Sequence, residues 1–309
     1  MNGAALGILF AFSFVLLESV QFVYFGGLFQ HVDSFLIGFL VFGTTVVVFV
    51  SWTAIFKPEQ LKIALSMRGQ LLAVNLGAVV TFTAYLLSVQ LLEPAITYTI
   101  SGGTMPIAAY VFYKIGMREG EPMRNRFEAA GNFLIFVAII FLAFITVGGM
   151  SGFVRGDTGV AILGVLLAII DGVFFTLILV YSQRLSKAGV GPTAVLGIRL
   201  PLYVLVTGVA ATAGFNSVGP VSTSDLVLYT VIGLLLSVPP LYLLQKAVAT
   251  VSTLTLSAIT AIGPLVIFLL QIVEGRVDYK TVTLIGLSFY TAGAIFSAYG
   301  AVRASTSQS

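Results

Sequence analysis

AALGILFAFSFVLLESVQFVYF, residues 4–25, runs for 22 residues with one charged side chain, Glu18, and no proline. A helix rises 1.5 Å per residue, so about 20 residues cross the roughly 30 Å hydrocarbon core of a bilayer, and the stretch reads as a membrane span. A removable signal peptide is the other reading of such a segment. No basic residue precedes the apolar run, however, and a carboxylate lies within it, so the span is expected to stay in the mature chain. Strands of a membrane barrel alternate polar and apolar residues over about ten positions, whereas this run is apolar for twice that length.

Nine further runs of the same kind follow, at 35–55, 69–90, 95–113, 130–148, 159–181, 193–213, 226–244, 253–273 and 281–302. Together they predict an all-α integral membrane protein of ten transmembrane helices, with no length left for a separate soluble domain. Composition agrees: 309 residues, 58% hydrophobic, only 9% charged, mean hydropathy +1.07, where a soluble domain carries about 25% charge. The net charge of +3 falls on links between spans, which removes the case for a nucleic-acid partner. With no cysteine and a single histidine, His31 in the first link, disulfides, thiolate chemistry, zinc–sulfur sites and multi-histidine metal sites drop out. No metal or cofactor is expected. A nucleotide-driven pump needs a GxxxxGK[ST] loop, which the chain lacks.

Basic residues gather on alternate links. One side holds Lys57, Lys62, Arg68, Lys114, Arg118, Arg124, Arg126, Arg184, Lys187, Lys246 and Arg303; the other holds Arg155, Arg276 and Lys280. Positive residues favour short cytoplasmic links, so both termini are expected in the cytoplasm. Arg199 alone falls inside a span.

The chain also repeats itself weakly. Pro106, Glu119-Gly120 and Gly131 in the first half answer to Pro264, Glu274-Gly275 and Gly286 in the second, with 12 residues from Glu to Gly in both. The offset is 155 to 158; similar offsets pair Tyr85 with Tyr242 (157) and Glu18 with Asp171 (153). Residues 1–150 and 151–309 then form two five-helix repeats. An odd number of helices makes the halves enter the membrane from opposite sides, the inverted repeat common among secondary transporters.

These residues resemble the drug/metabolite transporter superfamily, in its ten-helix EamA-domain branch. The resemblance lies in Glu93-Pro94-Ala95-Ile96-Thr97-Tyr98-Thr99-Ile100-Ser101-Gly102-Gly103-Thr104-Met105-Pro106, and in Ser257-Ala258-Ile259-Thr260-Ala261-Ile262-Gly263-Pro264 followed by Glu274-Gly275. The family's arginine early in the second helix of a repeat is matched once, by Arg199 in Gly197-Ile198-Arg199-Leu200; Phe39 holds that place in the first half. The resemblance implies two inverted repeats around a central cavity and export of small metabolites, amino acids or drugs.

Glu18 is the sharpest candidate, because a carboxylate deep in hydrocarbon is costly and tends to face an ion or substrate path. At helical spacing Phe14, Glu18, Gln21 and Phe25 form one stripe. Asp171, its counterpart, has Phe174 and Phe175 one turn on, and Arg199 lies at a similar depth. Arg199 is open to three roles: an ion pair with Asp171, snorkelling to the interface, or a hold on an anionic substrate group. Tyr85, Tyr98 and Tyr242 offer rings with a hydroxyl for an amphipathic or cationic metabolite. Gln21, Asn75, Gln245 and Gln271 are intramembrane amides suited to substrate contacts or interhelical hydrogen bonds. Ser101 and Ser257 sit in small-residue patches that favour close packing. Pro201, Pro239-Pro240 and Pro264 are expected to kink or interrupt their spans. A loose GxSx match at Gly286-Leu287-Ser288-Phe289 has no histidine within a span to act as its base, so an enzyme is not expected.

The sequence thus predicts a proton-coupled exporter of a small polar or amphipathic metabolite, such as an amino acid or amine, working by alternating access. Glu18 and Asp171 would couple the proton, and Gln21, Tyr85, Tyr98, Ser101, Phe175, Arg199, Tyr242 and Ser257 would join them at the substrate. A cell inner membrane location, contact with membrane lipids and a monomer or weak homodimer complete the expectation. The alternative is a channel or lipid scramblase without alternating access.

Overall fold

The computed structural model describes residues 3–117, 123, 125–216, 218–250 and 259–306. These residues fold as helices: α1 (Gly3–Leu28), α2 (Ser34–Phe56), α3 (Pro58–Ser66), α4 (Arg68–Leu91), α5 (Pro94–Lys114), α6 (Arg126–Val147), α7 (Thr158–Lys187), α8 (Pro192–Ile198), α9 (Pro201–Thr212), α10 (Thr223–Thr250), α11 (Gly263–Glu274) and α12 (Thr281–Thr306). Among the described residues no named strand occurs; Leu92 and Val154 form an isolated antiparallel bridge. Eight helices of the described chain are long and apolar enough to cross a membrane, the pair α8 and α9 counting as one. The chain is an all-helical, multi-pass membrane protein.

Local chemistry sets the helix ends. Asp33 caps α2 by accepting from the Phe35 and Leu36 N–H groups at 2.8 and 3.2 Å. Asn125 caps α6 and Asp157 caps α7 in the same way. Side-chain acceptors at this position satisfy donors that the first turn leaves free. Pro94 opens α5, and Gly275, at φ 85°, closes α11 in the left-handed region that suits glycine. α7 outruns its expected end because its apolar pattern stops before anything breaks the helix; Gly189, at φ 97°, lies just beyond. α3, which was not expected, is short and exposed, with a Glu59–Lys62 ion pair at 3.1 Å. Glu119-Gly120 and the first part of the expected span at 253–273 lie outside the described residues.

The proline expectations divide. Pro201 interrupts its span, splitting it into α8 and α9 around Arg199 and Leu200, and Pro264 stands in the first turn of α11. Pro239 and Pro240 remain inside α10. At the α8–α9 break an amide from α4 replaces the missing helical hydrogen bond. Asn75 Nδ2 donates to the Ile198 carbonyl at 2.8 Å, and its Oδ1 accepts from the Leu202 N–H at 3.2 Å.

The links gather at two ends. At one, Gln60 in α3 accepts from the Gly191 N–H at 3.0 Å, and Asn125 bonds to the Gly300 carbonyl. At the other, the α1–α2, α4–α5, α6–α7, α9–α10 and α11–α12 links meet through Gln90, Glu93, Asn216 and Gln271. Between the ends α4 packs on α7, α1 on α10, α5 on α7 and α11, α2 on α8 and α9, and α6 on α12. The α6–α12 approach depends on glycine, since an added Cβ on Gly131 would strike the backbone of Ser297 and Gly293.

Replacing Asn75 by Leu should leave the Ile198 carbonyl and the Leu202 N–H without partners. The expected cost is about 1–3 kcal/mol for each unpaired group. Thermal unfolding in detergent should record this as a lowered Tm, while Asn75→Gln should lose less.

Candidate functional site

Helix α5 stands between the helices that carry the two intramembrane acids. Tyr98 and Ser101, three residues apart on one face of α5, turn to opposite neighbours. The Tyr98 hydroxyl donates to Glu18 Oε2 on α1 at 3.0 Å, and Ser101 Oγ donates to Asp171 Oδ2 on α7 at 2.7 Å. The close approach of α5 and α7 needs Gly172, where an added Cβ would strike the Ser101 carbonyl. The structure therefore gathers Glu18, Tyr98, Ser101 and Asp171, with the two carboxyl groups near enough to feel each other's charge.

Aromatic side chains wall this centre. Phe22, one turn beyond Glu18, meets Tyr85 of α4 edge-on at 4.8 Å and Tyr98 at 4.9 Å. Tyr85, Tyr98 and Tyr290 lie within the electrostatic reach of Glu18. Gly263, at the start of α11, faces the Tyr98 ring so closely that an added Cβ would stand 2.8 Å from its hydroxyl. Asp171 is 5% exposed. Glu18 is half-buried. Neither carboxylate forms an ion pair with a described Lys, Arg or His. Among the described residues no three His, Asp or Glu side chains gather as a metal site requires.

The remaining expected residues scatter. Gln21 donates to Ser237 of α10 at 3.0 Å, joining α1 to α10. Phe175 is half-buried on α7. Tyr242 is 54% exposed, with Lys246 lying 5.5 Å from its ring centre, so it stands apart from the acids. Arg199 does not meet Asp171; its guanidinium lies 6.0 Å from the Phe82 ring. Ser257 and the side chain of Gln245 lie outside the described residues. A separate groove of about 710 Å3, lined by Leu65, Arg68, Leu71, Leu72, Asn75, Pro201, Leu202 and Leu205, runs between α4 and α9 away from the acids.

The sequence reading missed two tyrosines and one acid. Tyr203 and Tyr290 look like any other aromatic in an apolar run, and only the packing brings Tyr290 near Glu18 and Tyr203 near Tyr85. Glu93 was visible as a residue before a proline, but its surroundings were not. It is 0% exposed and accepts from the Gly152 N–H at 3.0 Å, from the Gln271 amide and from the Thr283 hydroxyl at 3.4 Å. Gln271 in turn accepts from the Ala95 N–H at 3.0 Å. One side chain thus ties the α4–α5 link to the α6–α7 link, α11 and α12.

No family model and no curated protein matches the chain. A solved structure described only as "Crystal structure of protein" shares its fold, with a TM-score of 0.64 and 18% identity over 98% of this chain and 99% of that chain. Fold and apolar helices together define a polytopic membrane protein with a buried acidic centre.

Glu93 lies in the link between two helices, and burial pushes its carboxyl up from 4.5 to about 7, against the pull of Gly152, Gln271, Thr283 and Arg276. The folded chain therefore holds a proton that the unfolded chain has released. The associated stability is complete below about 4.5 and is lost as pH rises through about 7. Between those values Tm should fall by a few degrees more in the wild type than in Glu93→Gln, as read by paired thermal scans.

Proposed function

We propose that the chain is a secondary active transporter, a proton-coupled exporter of a small polar or amphipathic metabolite such as an amino acid or amine. In this reading ten spans form two inverted EamA-like repeats, residues 1–150 and 151–309, in a cell inner membrane with both termini in the cytoplasm. The observation that carries it is the acid pair. Glu18 and Asp171 stand 153 residues apart in the first helices of the two halves, and both hydrogen-bond to α5 in the interior, with no ion pair to a cation among the described residues.

The packing lends further support. α4 on α7 is answered by α10 on α1, and α5 on α7 by α11 on α1; α2 with α8 and α9, α5 with α11, and α6 with α12 each pair with their own counterpart. Exchanging the halves maps this set of contacts onto itself, as an inverted repeat requires. Two walls that can rock about a shared centre are the geometric need of alternating access.

The chemistry follows from charge. An ionised carboxylate in a dry interior must take up a proton or a cationic group, and Glu18 offers this at a cleft where Tyr98 holds one of its oxygens. Cargo cation and proton then compete for the same carboxylate, which makes uptake of one drive release of the other. Asp171, held by Ser101, supplies the second negative charge, and Tyr85, Tyr98 and Phe22 give the cargo an aromatic wall.

Replacing Glu18 by Gln should lower pH-gradient-driven counterflow in proteoliposomes at least about tenfold, with Tm and membrane insertion unchanged. Normal counterflow with the same pH dependence would sink the coupling role. Flux without saturable counterflow in the wild type would identify a channel or scramblase-type protein.

A further inference from the structure

The interruption between α8 and α9 turns a cation inward. Arg199 sits at the break, 4% exposed, with Nε and Nη2 buried and without hydrogen-bond partners. No described carboxylate pairs with it, and its near neighbour is the Phe82 ring, 6.0 Å from Cζ. A buried guanidinium left with free N–H groups is an unsatisfied site, because neither desolvation nor lost hydrogen bonds are repaid.

Other donors without acceptors lie beside it. Tyr203, four residues on, packs against the same Phe82 ring at 5.6 Å, and its hydroxyl is buried without a partner. Tyr85, three residues beyond Phe82 on α4, also has a buried, unpartnered hydroxyl. It lies within electrostatic reach of Tyr203, Glu18 and Asp171. The Arg199 guanidinium and the Tyr203 ring thus share Phe82 as a neighbour, and Tyr85, on the same helix as Phe82, is within reach of the acid pair. What they lack is an acceptor, and an anion is the acceptor that also balances the guanidinium charge.

We propose that Arg199, with the Tyr203 hydroxyl, forms an anion subsite of the transport cleft, so that the cargo carries a carboxylate at one end and a cation at the other. This rests on the transporter reading. One guanidinium balances one negative charge, which favours a carboxylate over a doubly charged phosphate monoester. Phe82 and Tyr85 lie about one turn apart on α4, roughly 5 Å along the helix axis, and Arg199 does not touch the acids. The cargo's two charges are therefore held apart by a spacer longer than the single carbon of an α-amino acid.

The test uses the full chain in lipid nanodiscs and calorimetric binding of matched probes. Glycine, β-alanine, γ-aminobutyrate and ε-aminocaproate are each compared with the alkylamine of the same chain length, in the wild type, Arg199→Gln, Arg199→Lys and Glu18→Gln. The wild type should bind at least one of the longer amino acids about tenfold more tightly than its matched amine, with glycine gaining nothing. Arg199→Gln should erase that advantage and leave amine binding unchanged, while Arg199→Lys should keep part of it. The proposal is overturned if amino acid and amine bind alike at every length in the wild type, if no amino acid binds, or if Arg199→Gln weakens both probes equally. Unaltered amine binding in Glu18→Gln overturns the role of the acid pair instead, and the Arg199 comparison tells the two failures apart.

Discussion

A polar atom inside a bilayer has no water to turn to, so a donor or acceptor there is costly unless it finds a partner within the protein. That constraint organises this chain around α5. Its Tyr98 and Ser101 serve two carboxylates on two other helices, and its own first turn is served by Gln271 at the Ala95 N–H. The same rule explains Asn75, whose amide stands in for the hydrogen bond that the α8–α9 break removes. It also explains Glu93, which would be untenable at 0% exposure without three donors around it.

Long uniform runs made the helices legible, because a span leaves little room for another reading of 20 apolar residues. The repeat offset matched Glu18 with Asp171 in the sequence, and the structure places both against α5. The break at Pro201 was readable as a missing N–H. What composition could not show was which side chain fills it, since Asn75 lies 126 residues earlier in the chain. Tyr203 and Tyr290 were hidden among 25 Phe and 12 Tyr, where one more aromatic carries no signal until packing selects it. The offset that set Tyr85 against Tyr242 said nothing of exposure: Tyr85 is buried, whereas Tyr242 is 54% exposed with Lys246 5.5 Å from its ring centre.

The two ends of the bundle are built differently. At one end Gln90 donates to the Phe29 carbonyl at 2.6 Å and accepts from Asn216 at 3.1 Å, while Gln30 bonds back to Gln90 at 2.8 Å. Together with the Glu93 cluster, this joins links from both halves through buried side chains. At the other end Gln60 accepts from the Gly191 N–H and Asn125 bonds to the Gly300 carbonyl. Opening the first end would separate buried polar partners, each of which is costly to leave unpaired.

On the proposed repeat, the halves match in their acids but not in their arginine. Arg199 has Phe39 at the corresponding place, and Phe39 serves packing instead, lying against Gly208, where an added Cβ would stand 2.9 Å from its ring. A cleft lined by two exact copies would present the same charge to both ends of a cargo. On the proposed repeat, the acids of α1 and α7 would be shared between the halves while the guanidinium would belong to one, which gives the proposed cleft a direction that can orient a cargo with two unlike ends.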